Sequence, residues 1–182
     1  MGEIHVHEFM SLDGVVDEPT WTSGFGFVPR MGELIGGAMT GATALLLGRT
    51  TYQMFEPAWS TRSAEDDPGA PFFNEGMKYV VSSTLTDPTW QNTTVVGAYD
   101  AGTIRRLKDR VGGLYVSGSA TLVRALLADG LVDELHLFVY PVTRGTGPRL
   151  FPAAPTAGAI SLRASEALDN GVVYLNYRID QR

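Results

Sequence analysis

Apolar and polar residues alternate singly at the start of the chain: Ile4, Val6 and Glu8 fall on one face, and His5, His7 and Phe9 on the other. A period of two marks a β-strand, and the turn residues of MSLDG, residues 10–14, end it near Met10. Residues 16–27 are rich in Gly, Pro, Thr and aromatics and have no period, which predicts a long loop, a flap over a site. The period then becomes helical at Met31, Leu34, Ile35, Ala38 and Met39, with Gly41 beyond, and Ala44–Leu47 reads as a buried strand.

Thr51 to Phe55 begin a short helix, and the polar segment Ser60–Pro71 reads as the weakest-packed loop. Tyr79–Val81, Thr94–Val96 and Leu114–Val116 are short strand-like runs, with a helix over Ala101–Val111 between the last two. A further helix starts near Ser119, carries Leu122, Val123, Leu126 and Leu127, and ends at Gly130. Leu135–Tyr140 is another strand. Ile160–Ala167 and Gly171–Ile179 alternate around Asp169-Asn170-Gly171, a hairpin signal because Asn and Gly both tolerate positive φ. The pattern describes an α/β domain whose parallel middle ends in an antiparallel hairpin.

Composition narrows the functions. With 182 residues and 44% of them hydrophobic, the chain suits one domain, residues 1–182, with a sizeable core. A net charge of -6 argues against nucleic acid or an anionic membrane as partner. The absence of cysteine excludes disulfides, thiol nucleophiles and Cys-ligated metal. Neither a secretion signal nor an apolar run approaching the roughly 20 residues of a membrane helix is present, so a cytoplasmic protein is expected.

Three strand ends carry residues suited to phosphate. Gly48-Arg49-Thr50-Thr51 offers close backbone approach, capping hydroxyls and a bidentate cation. Ser82-Ser83-Thr84 follows the next strand, and Ser117-Gly118-Ser119-Ala120-Thr121 forms a strand-to-helix turn of small residues. Each alone most often just caps a helix. Together they converge, because ligands of open α/β sheets bind at the carboxyl ends of the strands. Neither a G-x-G-x-x-G after a strand nor a P-loop is present.

The stretches MSLDGVV at 10–16, LLLGRTTYQMF at 45–55, YVVSSTL at 79–85, LYVSGSATLVRALL at 114–127 and VDELHLFVYPVTRGTGPRLF at 132–151 resemble the dihydrofolate reductase-like superfamily. More narrowly, they resemble bacterial proteins related to the reductase domain of the bifunctional riboflavin biosynthesis enzyme, the RibD C-terminal type. The resemblance implies a three-layer fold with a mixed, mostly parallel sheet, and an NADPH-dependent reductase acting on a small heterocyclic (pyrimidine- or pterin-like) or carbonyl-type substrate as a homodimer. It assigns Arg49, Ser82 and Ser83 to the adenosine 2′-phosphate, and Gly48, Thr50 and Thr51 to the pyrophosphate and nicotinamide side. Gly118, Ser119, Ala120 and Thr121 form the second pyrophosphate turn. It places the loop of Ser11, Leu12, Asp13 and Gly14 and the flap bearing Trp21 over the nicotinamide, with Asp13 as a catalytic candidate and Trp21, Tyr52 and Phe55 on the substrate side.

The substrate half departs from the family. Folate reductases hold the pteridine with a carboxylate on the first helix; the nearest candidate is Glu33, whose alternative is a solvated helix glutamate. The riboflavin-pathway lysine four residues before the SLDG serine is replaced by His7, which could contact substrate or act as an acid near neutral pH. Acidic residues of stand-alone relatives are replaced by Thr20 and Gln53, which keeps open a nucleotide-binding regulatory or non-catalytic role. His5, His7 and His136 could meet around a metal, but packed strand histidines are the expected outcome and no metal is assigned. Arg144–Pro148 resembles an anion nest and is read as structural, and Arg105, Arg106, Lys108 and Arg110 as a solvated helix face.

Overall fold

The opening alternation forms β1 (Glu3–Ser11), with Ile4 and Val6 fully buried. The computed structural model describes residues 2–17, 19–151 and 160–180. The other elements are α1 (Pro29–Met39), β2 (Ala44–Gly48), α2 (Arg49–Trp59), α3 (Ala70–Glu75), β3 (Met77–Val81), β4 (Thr93–Gly97) and α4 (Ala101–Val111), then β5 (Gly113–Ser117), α5 (Ala120–Ala128), β6 (Glu134–Tyr140), β7 (Ile160–Ala167) and β8 (Val173–Ile179). The strands form one sheet in the order β4-β3-β2-β5-β1-β6-β8-β7. Every pair from β4 to β6 is parallel, and β8 runs antiparallel to both β6 and β7.

Alternation along the strands feeds two core layers. Ile4, Val6, Leu46 and Val116 pack with Ile104 and Leu107 of α4 and Leu122 and Leu126 of α5 on one face. Leu45, Leu47 and Tyr115 meet Tyr52 of α2 and Phe73 of α3 on the other, where Met31 of α1 also packs against Phe138 and Tyr140. The helices therefore cover both faces, the expected three-layer α/β fold, and the switch from parallel to antiparallel pairing falls at β6–β8, as the C-terminal hairpin predicts.

Four local expectations change. Helix α2 continues through Pro57 to Trp59, and the segment read as a loop ends in α3. This six-residue helix has too few turns to show a period; the buried Lys78 ammonium donates to the Phe73, Asn74 and Gly76 carbonyls and closes its C-terminal end. The flap contains a 3-10 helix, Pro19–Phe25, docked through Trp21 and Phe25 edge-on to Tyr140. In the final hairpin Gly171 has φ +82°, whereas Asn170 is not in the left-handed region. Leu168 N–H donates to Val172 O across a three-residue loop, so the turn needs positive φ at one position, and the Asn170 side chain instead reaches Gly26 O. Lys108, read as solvated, is 8% exposed and paired at 2.5 Å with Asp133.

Candidate active site

The carboxyl ends of β1, β2, β3 and β5 open into one cavity of about 570 Å³, within the range of small-molecule clefts, roughly 300–1,000 Å³. Gly48 through Thr51 line one side of it and Ser117 through Thr121 the other. These are the first turns of α2 and α5, and among the described residues no side chain caps either helix and no acidic residue occupies either first turn. Two helix N-termini with uncapped N–H groups therefore face one space, an arrangement that favours negative charge. Gly48 N–H donates to Ser119 Oγ at 3.0 Å and joins the two turns, and Gly118 N–H donates to His7 O at 3.1 Å and ties the second turn to β1.

The turn between β5 and α5 is held in an uncommon shape. Gly118 and Ser119 have φ of +61° and +66°, both in the left-handed region. Glycine takes this conformation at no steric cost, whereas Ser119 is held there by its contacts. Space alone does not demand Gly118, since a Cβ would sit 3.8 Å from Thr51, so the backbone conformation is what selects it.

The remaining sequence-derived residues divide. Phe55 and His7 line the cavity. Arg49 does also, and its Nη1 donates to Thr84 Oγ1 at 2.8 Å. Ser82 and Ser83 do not line it: the Ser82 hydroxyl accepts from the Thr84 and Leu85 N–H groups within its own turn, so the residue that meets Arg49 is Thr84. Tyr52 turns into the core, 1% exposed, and its hydroxyl accepts from Trp90 N–H, which corrects its assignment to the substrate side. Trp21 lies against Tyr140, its indole N–H donating to Asp17 O, and is not among the lining residues. Glu33 is exposed and paired with Arg30, which also binds Glu166, so its alternative as a solvated helix glutamate is the one observed.

Asp13 is a loop clamp. Its carboxylate accepts from the Ser11 hydroxyl and from the Arg144 and Gly145 N–H groups, and these bonds hold its pKa far below the usual carboxylate range. The loop that resembles an anion nest is thus occupied by a carboxylate of the chain itself, and Asp13 has no proton to give at ordinary pH. His7 also differs from expectation. Burial, with the nearby His136, lowers its pKa to about 3, so the ring is neutral rather than an acid near pH 7. Its Nδ1 lies 3.0 Å from the Tyr115 hydroxyl and 3.3 Å from Ser117 Oγ.

The residue that sequence reading passed over is Glu8. It lines the cavity, is 3% exposed, and its buried Oε1 has no hydrogen-bond partner among the described residues. Burial raises its pKa well above the ordinary carboxylate value, with Arg124 at the same cavity opposing part of the effect. The signal was present in the alternation, which puts Glu8 on the core face with Ile4 and Val6, where a carboxylate is rare unless paired or protonated.

The sequence profile of the RibD C-terminal domain matches residues 3–174. No curated protein matches the chain in sequence. Among solved structures, a protein of a Shewanella species described as a riboflavin biosynthesis protein is similar at 20% identity, with a TM-score of 0.77 over 99% of both chains. The riboflavin biosynthesis reductase of Saccharomyces cerevisiae is similar at 13% identity and a TM-score of 0.58, over 98% of this chain and 90% of that one. Dihydrofolate reductase from Enterococcus faecalis, complexed with NADP(H), matches at 17% identity and 0.60, over 98% and 97%. These likenesses concern the fold, while the profile spans nearly the whole chain, cavity residues included: the protein belongs to the RibD C-terminal domain family.

Proposed function

We propose that the protein is an NADPH-dependent reductase of a small heterocyclic, pyrimidine- or pterin-like, or carbonyl-type substrate. The observation that carries this reading is the pair of uncapped helix N-termini facing one cavity beside Arg49. The donor set fits a dinucleotide. The first turns of α2 and α5 would hold the pyrophosphate, and Arg49, steadied by Thr84, would pair with a 2′-phosphate. Family membership and an NADP(H)-bound structure among the fold neighbours support the same cofactor.

The bound nicotinamide would supply a hydride, with its electron pair, to an electrophilic carbon of a C=O or C=N group. Reduction also needs one proton on the adjoining oxygen or nitrogen. Glu8 is the residue suited to deliver it, because its buried carboxyl keeps its proton well above the usual range. The O–H bond of Glu8 breaks as the new O–H or N–H bond forms, and the carboxylate regains a proton from water. Neutral His7 is suited to orient substrate through Nε2, since its Nδ1 is engaged by Tyr115 and Ser117.

Titration with NADPH and NADH, followed by tryptophan fluorescence, tests the cofactor assignment. NADPH should bind, and Arg49→Ala should weaken it by about 1.5–3 kcal/mol, the cost of a charged hydrogen bond, while NADH changes little. No binding of either nucleotide at millimolar concentration overturns the reading. A non-catalytic nucleotide-binding protein would retain the Arg49 effect and turn over no flavin-pathway or pteridine compound.

A further inference from the structure

A second cluster of polar side chains lies toward the start of β1 and β6. In the β1–β6 register His5 pairs with Glu134 and His7 with His136. One ligand atom each from His5, Glu134 and His136 falls within 4.8 Å of the others. Arg178 on β8 binds Glu3 Oε1 at 2.8 Å and lies 3.6 Å from Glu134 Oε1. The other oxygens face the histidines: Glu3 Oε2 is 3.1 Å from His5 Nε2, and Glu134 Oε2 is 3.4 Å from His136 Nε2.

The facing nitrogens and oxygens of this cluster are incompletely paired. His5 Nδ1 lies 3.1 Å from Ala38 O, a carbonyl that only accepts, so this nitrogen carries the ring proton. A neutral His5 then turns the Nε2 lone pair toward the Glu3 carboxylate, acceptor against acceptor. His136 lies deeper, and its Nδ1 faces a hydroxyl rather than a carbonyl. It is 3% exposed, its Nδ1 is 2.7 Å from the Tyr174 hydroxyl, and its buried Nε2 has no hydrogen-bond partner among the described residues despite the nearby Glu134 oxygen. The Tyr174 hydroxyl can donate to His136 Nδ1, which puts the ring proton on Nε2 beside Glu134, or accept from it, which leaves an Nε2 lone pair free. In the second tautomer a divalent cation would take the lone pairs of both rings together with a Glu134 oxygen.

We propose that His5, His136 and Glu134 form a three-ligand site for a divalent transition metal, zinc or an ion of similar preference. The two imidazoles and the carboxylate match the nitrogen and oxygen ligands such ions take, and leave a fourth position for water. The Ala38 carbonyl and the Tyr174 hydroxyl orient the two rings as outer-shell partners do. Arg178 offsets one of the two carboxylate charges and fixes the far oxygen of each. A cavity of about 210 Å³, lined by Glu3, His5, Thr40 and Gly41 among others, borders the cluster on its His5 side. A bound ion would pin β1 to β6 below the C-terminal end of α1. The proposal uses neither the cofactor cavity nor the reductase reading.

The test uses full-length protein without a polyhistidine tag, stripped with a chelator and titrated with Zn²⁺ by calorimetry and with Co²⁺ by visible absorption. The expected result is one equivalent bound, a cobalt spectrum of low coordination number, and a higher Tm with zinc. His5→Gln and Glu134→Gln should each weaken binding at least tenfold while circular dichroism stays that of the wild type; Glu33→Gln, at an exposed carboxylate elsewhere, should bind as the wild type does. The absence of saturable binding below millimolar metal, or wild-type affinity in both His5→Gln and Glu134→Gln, overturns the proposal.

Discussion

Replacing Glu8 by glutamine keeps the side-chain volume and removes only the ability to ionise. The wild-type carboxyl is 3% exposed and has a buried Oε1 with no partner among the described residues, and burial raises its pKa well above 4.5, with Arg124 opposing part of the shift. In the unfolded chain the group titrates near its ordinary value. Between the two values the folded state holds the proton and the unfolded state has lost it, so stability falls as pH rises, by about 1.4 kcal/mol per pH unit. The contribution is complete below the unfolded value and gone above the raised one. The Glu8→Gln variant has no such slope. Urea unfolding of both proteins at pH 5, 6 and 7 should show the variant gaining on the wild type by about 1.4 kcal/mol per unit until the raised value is reached. Parallel stability curves would refute the claim that Glu8 is buried as the neutral acid. With a substrate in hand, the same variant should lose about 10²- to 10⁴-fold in kcat with little change in NADPH affinity, and the wild-type rate should decline as pH rises through the Glu8 pKa. An unchanged kcat would remove Glu8 as proton donor.

The buried pair of Lys108 and Asp133 should matter to stability alone. Asp133 Oδ2 also accepts from Ile4 N–H at 2.7 Å, so Asp133→Ala leaves Lys108 with only the Leu131 carbonyl at 3.4 Å among the described residues and strands a strand N–H; the expected cost is about 3–5 kcal/mol, read as a lower urea midpoint, and a loss under about 1 kcal/mol would count against the pair being desolvated. The homodimer implied by the family resemblance is expected to form at the edge strand β7, where Ile160 and Leu162 are 46% and 55% exposed. Sedimentation should then give a dimer that Leu162→Lys weakens, and a monomeric wild type would dismiss it.

The sequence by itself determined the elements whose signals are local. The alternation in β1, the helical stripe of Met31, Leu34, Ile35 and Ala38, the α4 boundaries and the two runs of the last hairpin all lie where their periods put them. Local turn chemistry also marked Gly48–Thr51 and Gly118–Thr121, because a strand end followed by small residues and a helix is written in consecutive residues. Tertiary structure decided what depends on residues far apart in the chain. Tyr52 follows Thr51 directly, yet one lines the cavity and the other enters the core, since successive residues of a helix point about 100° apart and the packing of α2 selects the buried direction. Asp13 became a clamp because residues 144 and 145 return to meet it. Lys108 left the solvated face because Asp133, across the fold, offers it a buried charge. Glu8 and His7 owe their protonation states to burial, whose direction the β1 alternation marks for Glu8 but whose extent only the fold decides, because the desolvation of an ionisable group is set by everything packed around it.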